Sequence, residues 1–125
     1  KQKHPQAPSY HLDEILGRSF KQQARFPEAR QAFERVLADP QAFRTETAAK
    51  AQFLIGETYL LEEKWADAFL AYQKVYASYA FPEWQAEALL QSGKCDEQLG
   101  QWSDAAKTYA RLIDENTVLL RDGSV

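Results

Sequence analysis

The sequence predicts an all-α fold in which helix hairpins stack into a solenoid, and three observations support this prediction. Apolar residues recur every three or four positions from Tyr10 onward, which is the spacing of amphipathic helices. Good helix formers fill these segments, and the few β-branched residues are scattered. A twelve-residue pattern occurs three times, as RFPEARQAFERV at 25–36, KWADAFLAYQKV at 64–75 and QWSDAAKTYARL at 101–112.

Six helices are predicted, and they pair into three hairpins at 10–40, 45–80 and 82–113. Residues 1–9 are predicted to be a tail or linker because they are polar, contain two prolines and show no apolar period. Residues 114–125 contain a short apolar run and are predicted to form a partial cap or the start of a further helix.

Turn and capping residues mark the predicted helix boundaries. Proline is favoured in the first turn of a helix, Ser, Thr and Asp cap helix N-termini, and glycine ends helices. In chain order these signals are Pro27, Asp39-Pro40, Thr45 or Thr47, Phe81-Pro82-Glu83 and Leu99-Gly100. The second helix is therefore predicted to end at Asp39-Pro40, and the fifth to begin at Phe81-Pro82.

A glycine precedes the alanine of each twelve-residue pattern by twelve positions. Successive glycines are 39 and 37 residues apart, so each unit is one helical hairpin of that length. We expect each glycine to lie opposite its alanine where the two helices cross most closely, with aromatic residues filling the space where they splay. The predicted structural positions are Gly17, Ala29 and Phe33, then Gly56, Trp65, Ala68 and Tyr72, then Gly93, Trp102, Ala105 and Tyr109.

These residues resemble the signature of the tetratricopeptide repeat family, W-x2-L-G-x2-Y followed by A-x3-F and P. The matches are Leu16-Gly17 with Phe20, Ile55-Gly56 with Tyr59, Ala29 with Phe33, Ala68 with Tyr72, and Ala105 with Tyr109. The resemblance covers residues 10–113. It implies a right-handed α-solenoid of three antiparallel helix hairpins.

Three features depart from the family signature. Asp96 stands where an aromatic residue is expected, so this position is expected to be less fully covered or to pair with a neighbour outside the chain. Asp13, Gln52 and Leu89 replace the early tryptophan, and the units exceed the usual length of about 34 residues. Lengthened repeats are similar to those of bacterial cell-envelope members of the family, which favours the periplasm or envelope over the cytoplasm.

Composition and charge argue against several classes of partner. The net charge is −3 and the pI is near 5.4, whereas nucleic-acid and anionic membrane surfaces require concentrated Lys and Arg. No segment approaches the run of about 18 apolar residues that a membrane span needs. Cys95 is the only cysteine, so no internal disulfide is expected. The chain contains no Met, which indicates a processed or excised fragment.

No pattern of catalytic or metal-ligating residues emerges from the sequence. His4 and His11 are not spaced as metal ligands and are predicted to be solvent-exposed. Neither H-E-x-x-H, a P-loop nor G-x-S-x-G occurs. Cys95 lies beside Lys94, but no histidine is placed in sequence to act as its base, so an inert cysteine is predicted. The sequence therefore predicts no enzymatic activity, no metal and no cofactor.

The resemblance implies that the first helix of each hairpin lines a concave groove that binds a protein or peptide. Counted from the glycines, the predicted binding residues are Arg18, Lys50, Phe53, Glu57, Leu60, Leu90 and Lys94. Charged rims around an apolar centre suit an amphipathic helix or an extended peptide. The alternative is that Phe53, Leu60 and Leu90 pack between adjacent hairpins.

The predicted function is a non-catalytic protein-interaction or scaffold module. A self-associating scaffold, joined through exposed ends into a homo-oligomer, and a regulatory domain of a larger multidomain enzyme are the alternatives. Chaperone-binding members of the family clamp a C-terminal dicarboxylate with Lys, Asn and Arg. Glu14, Leu54, Glu87 and Gln91 occupy most of those positions, so recognition of such a tail is not expected.

Overall fold

The computed structural model of the protein describes residues 8–116. Its six α-helices are α1 (Ser9–Gln22), α2 (Phe26–Ala38), α3 (Glu46–Leu61), α4 (Trp65–Ser78), α5 (Pro82–Gln98) and α6 (Trp102–Glu115), with a turn of 3-10 helix at Pro40–Ala42. No strand occurs within residues 8–116, so the all-α prediction is confirmed. Residues 1–7 of the predicted tail and 117–125 of the predicted cap lie outside the described residues.

The six helices pack as three consecutive hairpins, α1 with α2, α3 with α4, and α5 with α6. Each of the first two hairpins also packs its second helix against the first helix of the next hairpin. In addition, α1 contacts α3 and α3 contacts α5, so the first helices form one continuous layer. Each hairpin thus buries a face of its neighbour, and the predicted solenoid is confirmed.

The helix starts follow the predicted local signals. The Thr45 hydroxyl accepts a hydrogen bond from the Ala48 N–H at 3.1 Å, so Thr45 rather than Thr47 caps α3. Pro27 and Pro82 lie in the first turns of α2 and α5, where a missing N–H removes no helical hydrogen bond.

The turn inside each hairpin has the same backbone geometry. Ala24, Glu63 and Gly100 lie seven residues after the repeat glycines and have φ values of 60°, 60° and 75°. The next N–H donates to a carbonyl five residues earlier, from Arg25 to Phe20 at 2.9 Å, Lys64 to Tyr59 at 2.9 Å and Gln101 to Asp96 at 2.8 Å. Left-handed geometry favours glycine, and only the third turn has one. The first two turns therefore carry a conformational cost that the third avoids.

The repeat glycines make room for aromatic rings. A Cβ added at Gly56 would lie 2.6 to 2.9 Å from three ring carbons of Tyr72, and a Cβ at Gly17 would clash in the same way with Phe33. The third glycine has the same relation to the partly buried ring of Tyr109. The alanine was predicted to lie opposite the glycine, but the atoms nearest to the added Cβ belong to the aromatic residue sixteen positions after the glycine. The ring therefore fills the close crossing instead of the space where the helices splay.

Two apolar clusters hold the hairpins together. The first contains Phe33, Val36 and Ile55 and joins the first hairpin to the second. The second contains Phe53 and Tyr72 and joins the second hairpin to the third. A fully buried side chain of this size stabilises the fold by roughly 1.5–3 kcal/mol relative to an exposed one, so these clusters dominate the stability of the array.

Arg30 of α2 provides a polar link between the first two hairpins. Its guanidinium donates to the Thr58 hydroxyl at 3.0 Å and forms an ion pair with Glu62 at 2.9 Å. The same group lies over the Tyr59 ring, 4.2 Å from its centroid. The guanidinium is only partly exposed, so these interactions are screened less than those of a surface pair.

The two ends of the array expose residues whose counterparts elsewhere in it are buried or partly buried. Leu12 and Leu16 of α1 are exposed, whereas Ala51 and Ile55, at the same positions in α3, are buried against α2. Trp102 is 67% exposed. It was predicted as a structural repeat position, and in this end hairpin it does not fill the space between helices. The reason is that no described helix packs on the outer side of α6.

Asp96 is buried, with 2% of its surface exposed, so the expectation of a less covered position is wrong. Its carboxylate accepts a long hydrogen bond of 3.4 Å from the Thr108 hydroxyl. Burial, and then the neighbouring charge of Asp104, raise the pKa of Asp96. The charged form is therefore destabilised in the folded chain.

Candidate functional site

The first helix of each hairpin presents four positions to the predicted groove, and the repeat glycine sets their register. They lie six and three residues before the glycine and one and four residues after it. In α1 they are His11, Glu14, Arg18 and Lys21, in α3 they are Lys50, Phe53, Glu57 and Leu60, and in α5 they are Glu87, Leu90, Lys94 and Glu97. Corresponding positions on neighbouring helices can therefore be compared directly.

Ion pairs connect α1 and α3 along this face. Glu14 binds Lys50 at 3.4 Å, and Lys21 binds Glu57 at 3.2 Å. Arg18 also binds Glu14, at 2.7 Å along the same helix. The Glu14 carboxylate is buried while the basic groups are partly exposed. Three of the predicted binding residues, Arg18, Lys50 and Glu57, are thus engaged in ion pairs here, and Arg18 and Lys50 share the single Glu14 carboxylate.

The corresponding positions between α3 and α5 carry a different chemistry. The register that pairs Glu14 with Lys50 relates Phe53 to Glu87, and the register that pairs Lys21 with Glu57 relates Leu60 to Lys94. Phe53 and Leu60 of α3 therefore occupy the positions that Glu14 and Lys21 occupy in α1, and neither can form an ion pair. Neither Glu87 nor Lys94 forms an ion pair with any residue in the range 8–116.

Phe53 was predicted as a binding residue, and the structure instead places it in the core. Only 6% of its surface is exposed, and its ring lies 5.1 Å from that of Tyr72 and 5.2 Å from that of Trp84. Packing between hairpins, the alternative given above, is therefore correct for Phe53. Leu60 packs partly on the same cluster, and Leu90 is partly buried.

Glu87 was recognised as a groove position in the sequence but was not included among the predicted binding residues. Its exposed carboxylate lies at the position of Lys50, six residues before the repeat glycine. The repeat register alone could therefore have placed Glu87 among the predicted binding residues. The sequence did not reveal that Glu87 lacks an ion pair equivalent to the one between Glu14 and Lys50. Glu87 lacks this ion pair because the corresponding residue of α3 is Phe53, which carries no charge.

The described residues do not assemble a metal centre. No group of three or more His, Cys, Asp or Glu side chains within residues 8–116 could hold a metal ion. His11 is partly buried beside the Tyr10 ring, 4.4 Å between centroids, and His4 lies outside the described residues. Cys95 is fully buried, and burial followed by the charge of Asp96 raises the pKa of its thiol to about 11.

Two profiles of the tetratricopeptide repeat match the chain, one over residues 16–83 and one over residues 87–116. The chain belongs to the tetratricopeptide repeat family. The matched ranges contain all three sets of glycine, alanine and aromatic residues, and the resemblance is confirmed. Repeats of this family generally mediate protein–protein interaction or scaffolding and are typically non-catalytic. No curated protein matches the chain significantly.

The helices of this tetratricopeptide repeat array are amphipathic elements of a packed fold. None of those within residues 8–116 is long and apolar enough to cross a bilayer.

Proposed function

We propose that this tetratricopeptide repeat chain is a non-catalytic module that binds a helix or peptide of a partner protein along its first helices. The observation that carries the proposal is the contrast between the two inter-helix junctions. Ion pairs join α1 to α3, whereas Glu87 and Lys94 on α5 have no described ion-pair partner. The half of the groove between α3 and α5 therefore offers uncompensated charges for a partner.

The spacing of these charges defines the partner that fits. Glu87 and Lys94 are seven residues apart, which is two helical turns or about 10 Å along α5. Leu90 lies between them in sequence, and Leu60 occupies the register position on α3 that corresponds to the ion-pair partner of Lys94. An amphipathic partner helix with an apolar residue flanked by one basic and one acidic side chain complements this surface. Arg18, Lys50 and Glu57 extend the proposed surface toward the first hairpin.

Site-specific photocrosslinking tests this assignment. A photoreactive residue at Leu90 is expected to capture a partner, whereas the same residue at Leu70, exposed on α4, is expected to capture none. The affinity of the identified partner is then measured for Lys94→Glu and for the matched control Lys107→Glu on α6. The groove assignment requires weakening of about fivefold or more for Lys94→Glu alone. Equal effects of the two variants would reject it.

A second candidate function, self-association through the ends of the array, is favoured by the exposed apolar residues of α1 and α6. Leu12, Leu16 and Trp102 are all large and exposed, and such patches often mark interfaces. Light scattering across a wide concentration range distinguishes the two candidates. A strict monomer at all concentrations would eliminate self-association.

A further inference from the structure

Two adjacent cavities, of about 420 and 470 Å³, lie where the connection between α2 and α3 approaches the connection between α4 and α5. Arg44, Ser78 and Tyr79 line both cavities. Phe81 belongs to the first cavity, and Phe43 to the second. Volumes of this size accommodate small ligands or a few residues of peptide. The cavities are built from the connections between hairpins and share no residue with the proposed groove.

The positive charge of Arg44 has no counterpart on the described chain. Its guanidinium forms no ion pair within residues 8–116. The neighbouring carboxylates in sequence make other contacts: Asp39 accepts from the Gln41 N–H at 2.9 Å, and Glu46 accepts from Trp84 Nε1–H at 2.9 Å. A carboxylate from another molecule would therefore meet an uncompensated cation at the cavity.

An exposed aromatic ring adjoins this cation. Phe43 is 73% exposed, and the Arg44 guanidinium lies 5.2 Å from the centroid of its ring. A large apolar residue left in water next to an arginine is a typical composition for the centre of an interface. The pair therefore offers both an anchor for apolar surface and a donor for an anion.

The backbone of Arg44 is held in place by a tight turn. Its φ is 63°, a left-handed conformation that is rare for a residue with a side chain. The Phe43 N–H donates to the Pro40 carbonyl at 3.2 Å, and the Thr45 N–H donates to the Ala42 carbonyl at 3.0 Å. The cation is thus attached to a rigid turn, which reduces the entropy lost when it binds a ligand.

The opposite wall is a short extended segment with free donors. Tyr79 has φ −127° and ψ 128°, and Phe81 has φ −120° and ψ 101°, both in the β region. The N–H groups of Ala80 and Phe81 make no hydrogen bond within the described chain. Because successive N–H groups of an extended chain point to opposite edges, a peptide on one side pairs with one of these two donors, as strands added to sheet edges do.

We propose that this cavity binds an extended acidic segment of a partner protein. A Glu or Asp side chain of that segment binds the Arg44 guanidinium, an apolar neighbour packs on Phe43, and the peptide backbone pairs with residues 79–81. The inference is separate from the groove of the proposed function and does not depend on it. The charge of Arg44, the exposed Phe43 and the free backbone donors each select one feature of the ligand.

Titration of the isotope-labelled chain with a blocked peptide, acetyl-Ala-Phe-Glu-Phe-Ala-amide, tests the proposal by nuclear magnetic resonance. The amide resonances of Ala80 and Phe81 and the Arg44 Nε–H are expected to shift and saturate with a Kd on the order of 1 mM. Arg44→Asn should weaken binding about tenfold or more, because asparagine tolerates the left-handed backbone but carries no charge. The matched control is Arg25→Gln, which removes a guanidinium that also lies over an aromatic ring, that of Phe20, but at the other end of a hairpin. This control should change Kd by less than about twofold.

A second peptide, with Gln in place of Glu, is expected to bind about tenfold more weakly. Equal binding of the two peptides, or undiminished binding to Arg44→Asn, would overturn the proposal. Three other outcomes would also overturn it. They are resonance shifts confined to α3 and α5, the absence of any resonance shift, and binding only of a peptide with a free C-terminal carboxylate. Lys94→Glu, which tests the groove, should leave this titration unchanged, so failure of one site is distinguishable from failure of the other.

Discussion

Replacing Gly56 by alanine is expected to destabilise the array, although alanine is the better helix former. The new Cβ would lie 2.6, 2.8 and 2.9 Å from three ring carbons of Tyr72, whereas unstrained carbon contacts are about 3.5–4.0 Å. The ring would have to retreat by about 1 Å. Tyr72 is fully buried, and the Phe53 ring 5.1 Å away limits that movement.

The two opposing effects can be compared directly. Overpacking costs about 1–3 kcal/mol, and the upper end applies because the ring is enclosed. The gain in helix propensity from glycine to alanine is about 1 kcal/mol. The net loss for Gly56→Ala is therefore about 2 kcal/mol, or a decrease in Tm of about 8 °C for a chain of this size. Thermal unfolding followed by far-ultraviolet circular dichroism measures it.

A second variant isolates the cause. In a Tyr72→Leu background the clash is absent, so Gly56→Ala should become stabilising by about 1 kcal/mol. Gly93→Ala should cost less than Gly56→Ala because its opposing ring, Tyr109, is partly exposed and can move. An unchanged or raised Tm for Gly56→Ala alone, or the same sign of effect in both backgrounds, would refute this account of the helix crossing.

Three further predictions follow from the turns and the buried polar groups. Ala24→Gly should raise stability by about 0.5–1 kcal/mol because it relieves a left-handed residue, whereas Ala106→Gly on exposed α6 should lower it by a similar amount in urea unfolding. Burial and the Asp104 charge raise the pKa of Asp96 above its unfolded value, so its contribution to stability is lost as pH rises through that raised pKa. Asp96→Asn should therefore gain stability relative to the native chain from about pH 3 to pH 7, and a pH-independent difference would contradict this. Cys95 should react slowly with iodoacetamide at neutral pH in the native chain and rapidly in denaturant, because its thiol has a pKa of about 11 and is buried; equal rates would contradict the burial.

Much of the fold was predictable because the packing rules are local and periodic. Ala29, Ala68 and Ala105 are buried as the repeated pattern predicts, and Thr45 and Pro82 begin their helices. The atom that meets each glycine was not predictable from spacing alone. Residues twelve and sixteen positions after the glycine lie on the same face of the second helix, and only the crossing angle decides which of them reaches it.

The candidate site was less predictable than the fold. Register identified the positions on each first helix, including Lys94 and Glu87, since a regular repeat presents the same positions at each unit. Phe53 was predicted to face the groove, but an aromatic side chain at such a position can also pack between two hairpins. The Trp84 and Tyr72 rings cover Phe53 there. No motif pointed to Arg44, because its importance comes from two connections that are distant in sequence.

The sequence by itself determined the class of fold, the number of hairpins, the positions of the repeat glycines and membership of the tetratricopeptide repeat family. Those properties depend on helix periodicity and on recurring small and aromatic residues, and both patterns can be read from the order of residues in the chain. Only the tertiary structure decided which charges are matched and which are not. Glu14 forms an ion pair with Lys50, whereas the position on α3 that corresponds to an ion-pair partner of Lys94 is occupied by Leu60, because ion pairing depends on the residue that the next hairpin brings within a few ångströms.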